Sequence, residues 1–177
     1  MKSITINRRK LAFWSTLILI LLALLIILSL TKGAHKADAS VVPPDTAAAN
    51  FTRAFYTLDY RDQAGWLTKL QPTATTDGNT LLKDMVAPLL WPKFTSAQTV
   101  STADQVTIKD NGLKAEGQSK LGTWQIRALT VKLAPEVSWP DAREFDTNIL
   151  LSLEDGSWKF ASFLDDASVK IYQQKSP

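Results

Sequence analysis

Phe145-Asp146-Thr147-Asn148-Ile149-Leu150-Leu151-Ser152-Leu153, then Glu154-Asp155-Gly156-Ser157, then Trp158-Lys159-Phe160-Ala161-Ser162-Phe163-Leu164, is the stretch that decides the fold class. Two segments of strand composition flank a tight Asp-Gly turn, the strongest short-range sign of an antiparallel hairpin. Upstream, Trp124–Leu133 alternates apolar and polar residues, and Pro135 and Pro140 bracket a loop carrying Trp139. Leu113–Ser119 reads as a weaker strand, Asp110-Asn111-Gly112 as a second hairpin turn, and Gln105–Ile108 and Thr99–Thr102 as strand text. The expectation is four to five antiparallel strands joined by short turns.

Before Phe94 the apolar period is that of helices. Asp45 is placed as an N-cap after Pro43-Pro44, and Ala48, Phe51, Ala54, Phe55 and Leu58 form one stripe, predicting a helix over about 46–59. A second short helix carries Trp66, Leu67 and Leu70 and stops at Pro72. Thr73–Asn79 reads as a polar turn. A third helix carries Leu81, Leu82, Met85 and Val86, is halted by Pro88, and gives way to an apolar exit, Leu89-Leu90-Trp91-Pro92. Helices followed by an antiparallel meander define an α+β domain, with three helices packed on a curved sheet because neither layer can hide its apolar face alone.

Leu11–Leu30 is an uncharged run, LAFWSTLILILLALLIILSL, whose roughly 30 Å as a helix matches the hydrocarbon core. It predicts a transmembrane helix over 11–31. A cleaved signal peptide is the competing reading, with Arg8-Arg9-Lys10 as its basic region and Ala37-Asp38-Ala39 as its site. The apolar run exceeds the usual h-region, and that site lies beyond Lys32 and Lys36. Cations before the span place residues 1–10 in the cytoplasm and the C-terminal domain outside, in a single-pass cell-membrane protein. The division is then tail 1–10, span 11–31, tether 32–45, domain 46–166 and C-terminal tail 167–177, the last poorly packed beyond Tyr172. His35, in the tether, reads as a solvated residue.

Charge narrows the function classes. The chain has 20 Lys+Arg and 17 Asp+Glu; five cations and no acid fall in residues 1–33, leaving 15 cations and 17 acids for the rest. A faintly acidic domain argues against sequence-specific nucleic-acid binding, which needs a basic face. With no cysteine and one histidine, His35, there is no thiolate metal site, cysteine nucleophile or His-based triad in the domain. Neither a Gly-rich phosphate loop nor metal-ligand carboxylate spacing is present, so no cofactor and no metal is expected.

Asp59 and Asp62, near Tyr56 and Tyr60, read as solvated caps of the second helix; acid–base chemistry is the alternative role for them. Asp146 with Arg143 reads as a surface pair, and Asp165-Asp166 as the end of the last strand. Trp66, Trp124 and Trp158 fall in phase with core faces. Trp91 and Trp139 each precede a proline in irregular text, and with Leu89 and Leu90 they are the candidate partner contacts, where exposed aromatics mark binding surfaces.

The text Ala49-Asn50-Phe51-Thr52-Arg53-Ala54-Phe55-Tyr56-Thr57-Leu58-Asp59, with the closing Leu153-Glu154-Asp155-Gly156-Ser157-Trp158-Lys159-Phe160, resembles the nuclear transport factor 2-like superfamily over about residues 45–165. With one N-terminal anchor the chain looks like the bitopic assembly factors of type IV secretion and conjugation, including the TcpC-like proteins of Gram-positive bacteria. The resemblance implies a cone-like fold and a non-enzymatic scaffold subunit of an envelope complex. Such a subunit binds other envelope proteins and copies of itself, in a conjugative DNA-transfer channel. Other anchored members of the superfamily imply the alternative of a lipid or small apolar ligand held in the pocket, and isomerase-like members a third, an Asp base with a Tyr donor.

Overall fold

The computed structural model describes residues 42–119, 122–135 and 143–175. Helix α1, Pro44–Tyr56, buries Ala48, Phe51, Thr52 and Phe55. It starts earlier than the periodicity predicts because Pro44 occupies the first turn, where a missing N–H costs nothing. Asp45 is therefore not the cap; it lies inside the first turn. The helix ends at Tyr56 because the next residues are taken by a short ladder: β1, Leu58–Asp59, pairs antiparallel with β2, Val100–Ser101.

Helix α2, Gln63–Leu70, is capped by Asp62, whose carboxylate accepts from Gly65 N at 2.8 Å. A 3₁₀ turn, Gln71–Thr73, carries Pro72. The predicted polar turn after it is a helix instead: α3, Thr76–Leu81, capped by the Thr75 hydroxyl accepting from Gly78 N at 2.8 Å. Asp77-Gly78 is thus the first turn of a helix. A π-helical segment, Leu82–Val86, leads without interruption into α4, Ala87–Ser96. Pro88 does not halt the helix, since it stands in the first turn of α4.

The main sheet is a meander in the order β3-β4-β5-β6, formed by Ala103–Ser119, Gly122–Leu133, Glu144–Glu154 and Ser157–Leu164. Asp155-Gly156 makes the predicted hairpin, with Glu154 facing Ser157 and both turn residues at positive φ, 52° and 75°. Asp110-Asn111-Gly112 does not make one. Ile108 faces Leu129 and Leu113 faces Arg127, so both halves pair with β4 and the residues between form a bulge. Asp110 and Gly112 hold it at φ 52° and 77°. The two predicted strands are one, and the main sheet has four.

Helices α1, α2 and α4 lie against one face of the sheet, and α3 stands at its edge beside β6. There Phe51 stacks on Phe160 with centroids 3.8 Å apart, and Phe55 meets Phe163 at 4.7 Å. Phe160 and Phe163 reach the same layer because the register shifts between Leu150 and Leu151, leaving Ala161 unopposed. The C-terminal residues form a further helix, α5, Asp166–Lys175. Asp165 accepts from Ser168 N at 2.7 Å, so it starts this helix as well as ending β6. The helix packs Val169 and Tyr172 on Ala115, Ile126 and Trp124, on the sheet's opposite face. The segment from Asp166 is a second cover layer, since an apolar patch on that face would otherwise stand in water.

Among the described residues, no helix is long and apolar enough to cross a membrane. The span Leu11–Leu30, the flanking tail, the tether up to residue 41, and Trp139 lie outside the described residues.

Candidate functional site: the outer face of helix α4

Met85 and Leu89 are the most exposed large apolar side chains of the described residues, at 57% and 66%. They are four residues apart across the π-to-α junction, the spacing that makes side chains neighbours on one helix face. Pro88 and Pro92, both exposed, extend that face. Beside it runs an open groove of about 480 Å³ lined by Gln63, Pro88, Trp91, Pro92, Thr95 and Ser96, with Ala87 at its base. Pro92 offers no N–H to the carbonyl of Pro88, so that carbonyl lacks its usual partner within the helix. Two large apolar side chains and two proline rings in one row are more than scattered exposed hydrophobics.

Of the four candidate contacts, Leu89 is where an exposed contact should be. Leu90 is half-buried and packs against the main core. Trp91 corrects the sequence reading: it is 8% exposed, donates from Nε1 to Tyr60 O at 3.0 Å, and meets the rings of Trp66 at 5.4 Å and Phe94 at 5.8 Å. Because the helix continues through Pro88 and Pro92, the indole is turned inward and forms the groove's floor rather than its rim. Met85, which the sequence reading assigned to a core stripe, is exposed; the π segment shifts the helical phase at that point.

Both acids of the cluster around the start of α2 are engaged by neighbours. Asp59 is held by Arg61, whose Nε lies 2.8 Å from Oδ1 and whose backbone N lies 2.9 Å from it. These bonds, chiefly the side-chain one, lower the Asp59 pKa from 3.8 to about 2. Asp62 is occupied as the cap of α2. Burial raises the Tyr56 pKa to about 12, with a hydrogen bond to Thr147 opposing it. Asp59, Asp62, Trp66, Lys69 and Ser101 line a cleft of about 230 Å³. Asp146 pairs with Lys109 and accepts from Thr130 Oγ1 at 2.7 Å, not with Arg143 as the sequence suggested, and both partners hold its pKa below the usual carboxylate range.

One prediction follows for pH. A depressed folded-state pKa contributes stability that is complete above the unfolded value of 3.8 and is lost as pH falls through about 2. Carboxyl carbon shifts should show Asp59 ionised well below pH 3.8, and Arg61→Gln should return its midpoint toward that ordinary value. An unchanged midpoint in the variant would remove Arg61 as the cause.

Together these features define a class: among the described residues, an α+β domain with a four-stranded meander, three helices in one cover layer, α3 at the edge beside β6, α5 on the other face, and an exposed apolar helix row beside a groove. No family model matches the chain, and no curated protein matches it. Among solved structures, the chain is similar to the solution structure of TraH, named as a transfer protein of the Gram-positive conjugative plasmid pIP501. The two share 12% identity at a TM-score of 0.45, over 69% of this chain and 91% of that chain.

Proposed function

We propose that this chain is a membrane-anchored, non-enzymatic scaffold subunit whose exported domain binds other proteins of an envelope complex through the outer face of α4. The observation that carries the reading is the Met85–Leu89 row over the Trp91 groove. The uncharged Leu11–Leu30 run supports the anchor, and the cations before it support a cytoplasmic N-terminus. The low pKa of Asp59 and the capping role of Asp62 support a non-catalytic domain, since a general base working near neutrality needs a pKa raised toward 7. The helix order and the Asp155-Gly156 hairpin support a nuclear transport factor 2-like fold, and with the single anchor they favour the conjugative, type IV secretion setting. Self-association is part of the proposal.

The test is the double variant Met85→Ser, Leu89→Ser in the full chain. Both side chains are largely in water, so stability should stay within about 0.5 kcal/mol of the parent. Co-purification of cross-linked envelope partners from the producing cell should be lost. Where neighbouring genes encode a transfer system, DNA transfer should fall with this variant and survive Asp59→Asn with Asp62→Asn. Retained partners with Met85→Ser, Leu89→Ser, or loss of function only with the aspartate changes, would overturn the reading.

A further inference from the structure

We infer that the cavity between the outer face of the sheet and helices α3 and α5 is a binding site for an organic ammonium ion. The site is separate from the α4 face and does not rest on it. The cavity holds about 340 Å³ and is lined by Trp124, Leu150, Ser152 and Glu154 of the sheet, Asp77 of α3 and Tyr172 of α5. Its volume lies at the lower end of small-molecule sites, roughly 300–1,000 Å³. Its wall is aromatic: Trp124 and Tyr172 meet at 5.0 Å with planes at 70°, edge to face. Two carboxylates, Asp77 and Glu154, share the lining with the small side chains of Thr75, Ser119 and Ala161, and no lysine or arginine is among the described lining residues.

That combination selects one chemistry. An anion would face two carboxylates. A metal ion would lack donors, since no group of three acids or histidines that could hold one occurs among the described residues. A neutral apolar molecule would leave both carboxylates without a role. An alkylammonium ion satisfies both halves, because its charge attracts the carboxylates and its methyl or methylene surface packs on ring faces. An internal competitor is Lys159, whose ammonium lies 3.9 Å from Glu154 and 3.8 Å from Asp155.

The indole is set in place by the strand beside it. Gly117 faces Trp124 across β3 and β4, and a Cβ on Gly117 would stand 2.6 Å from Cζ2 of the ring. Only glycine lets the indole lie across β3 at that point. α5 is fixed at both ends of its span, by Asn148 Nδ2 donating to Asp166 at 3.0 Å and by Gln173 Nε2 donating to Lys114 O at 3.0 Å, so Tyr172 is held over the ring. The aromatic wall is therefore formed before any ligand arrives.

The experiment is calorimetric titration of the full chain, in a maltoside detergent without ammonium groups, with choline and with 3,3-dimethyl-1-butanol, its neutral isostere. Choline should bind, and the isostere should bind roughly tenfold more weakly or not at all. Glu154→Gln and Trp124→Leu should each weaken choline about three- to thirtyfold with the circular dichroism unchanged. Gly117→Ala, which alters no charge, should weaken it by displacing the ring. Dihexanoyl phosphatidylcholine below its micellar concentration separates the sources: tighter binding than choline assigns a lipid headgroup, weaker binding a free amine, and either supports the site. Equal binding of choline and its isostere would reduce the site to an apolar cavity, and no choline binding by the folded chain would overturn the inference outright.

Discussion

Trp66→Ala is expected to destabilise the domain by about 3–5 kcal/mol, the range for large aromatic truncations in cores. The indole is 2% exposed and lies between the rings of Phe55 and Trp91, each 5.4 Å away. Its Nε1 donates to Phe55 O at 2.9 Å, which ties α2 to the C-terminal end of α1. Alanine removes the ring and leaves a buried carbonyl without its donor, so a cavity cost and an unsatisfied polar cost add. Trp66→Phe separates the two, keeping most of the volume and losing only the hydrogen bond, and should cost about 1–2 kcal/mol. Trp158, which the strand alternation places in the core, is half-buried at the margin of the main cluster. Its truncation should cost less than that of Trp66. Urea unfolding of residues 41–177, which form one compact unit, measures all three. Equal losses at Trp66 and Trp158 would show that burial is not what ranks them.

The parts of the fold that were legible are those decided within a few residues. Asp155-Gly156 stands between two strand runs that pair directly with each other, and the Ala48–Phe55 stripe needs an apolar layer opposite it. Asp110-Asn111-Gly112 has the same local chemistry and yet makes a bulge. The difference is non-local, since β4 continues opposite both of its sides. Trp91 was misplaced for a related reason. A proline on either side of Leu89-Leu90-Trp91 reads as a stop, but Pro88 occupies a first turn and the π segment realigns the helix. Of the residues read as an irregular exit, Leu89 faces outward and Trp91 inward.

The outer cavity and α5 had a signal in the alternation of β4. Trp124, Ile126 and Ala128 lie on one face, whereas Leu129, Val131 and Leu133 lie on the other. The apolar phase changes sides between Ala128 and Leu129. A strand that is apolar on both faces needs two covers, and helices α1, α2 and α4 supply one. Val169 and Tyr172, one helical turn apart, are the available second cover. Their segment was too polar for its periodicity to announce a helix alone; the demand for it came from a strand some forty residues earlier in the chain.

Arg127 sits where that phase change leaves a cation on the helix-covered side, and it yields the second large effect. Its side chain is 10% exposed, with Nη1 3.2 Å from Asp45 Oδ1 and Nη2 donating to Gln125 Oε1 at 2.8 Å, while Nε has no partner. Asp45 is the more open member, 45% exposed, in the first turn of α1. The two halves of the pair should therefore respond unequally. Asp45→Ala strands a nearly buried guanidinium, and should cost about 1–3 kcal/mol, below the 3–5 of a fully buried pair because one partner reaches solvent. Arg127→Met removes the charge and the unsatisfied Nε, keeps an unbranched apolar stem, and frees Asp45 to be hydrated. It should lie within about 1 kcal/mol of the parent or above it. The double variant should match Arg127→Met, because Asp45 then has nothing left to neutralise. Denaturant midpoints give the ranking, and amide exchange in the first turn of α1 shows whether the pair holds the place where the tether enters the domain. If Arg127→Met were as damaging as Asp45→Ala, the ion pair would be a net source of stability, and the desolvation cost assigned to the guanidinium would be wrong.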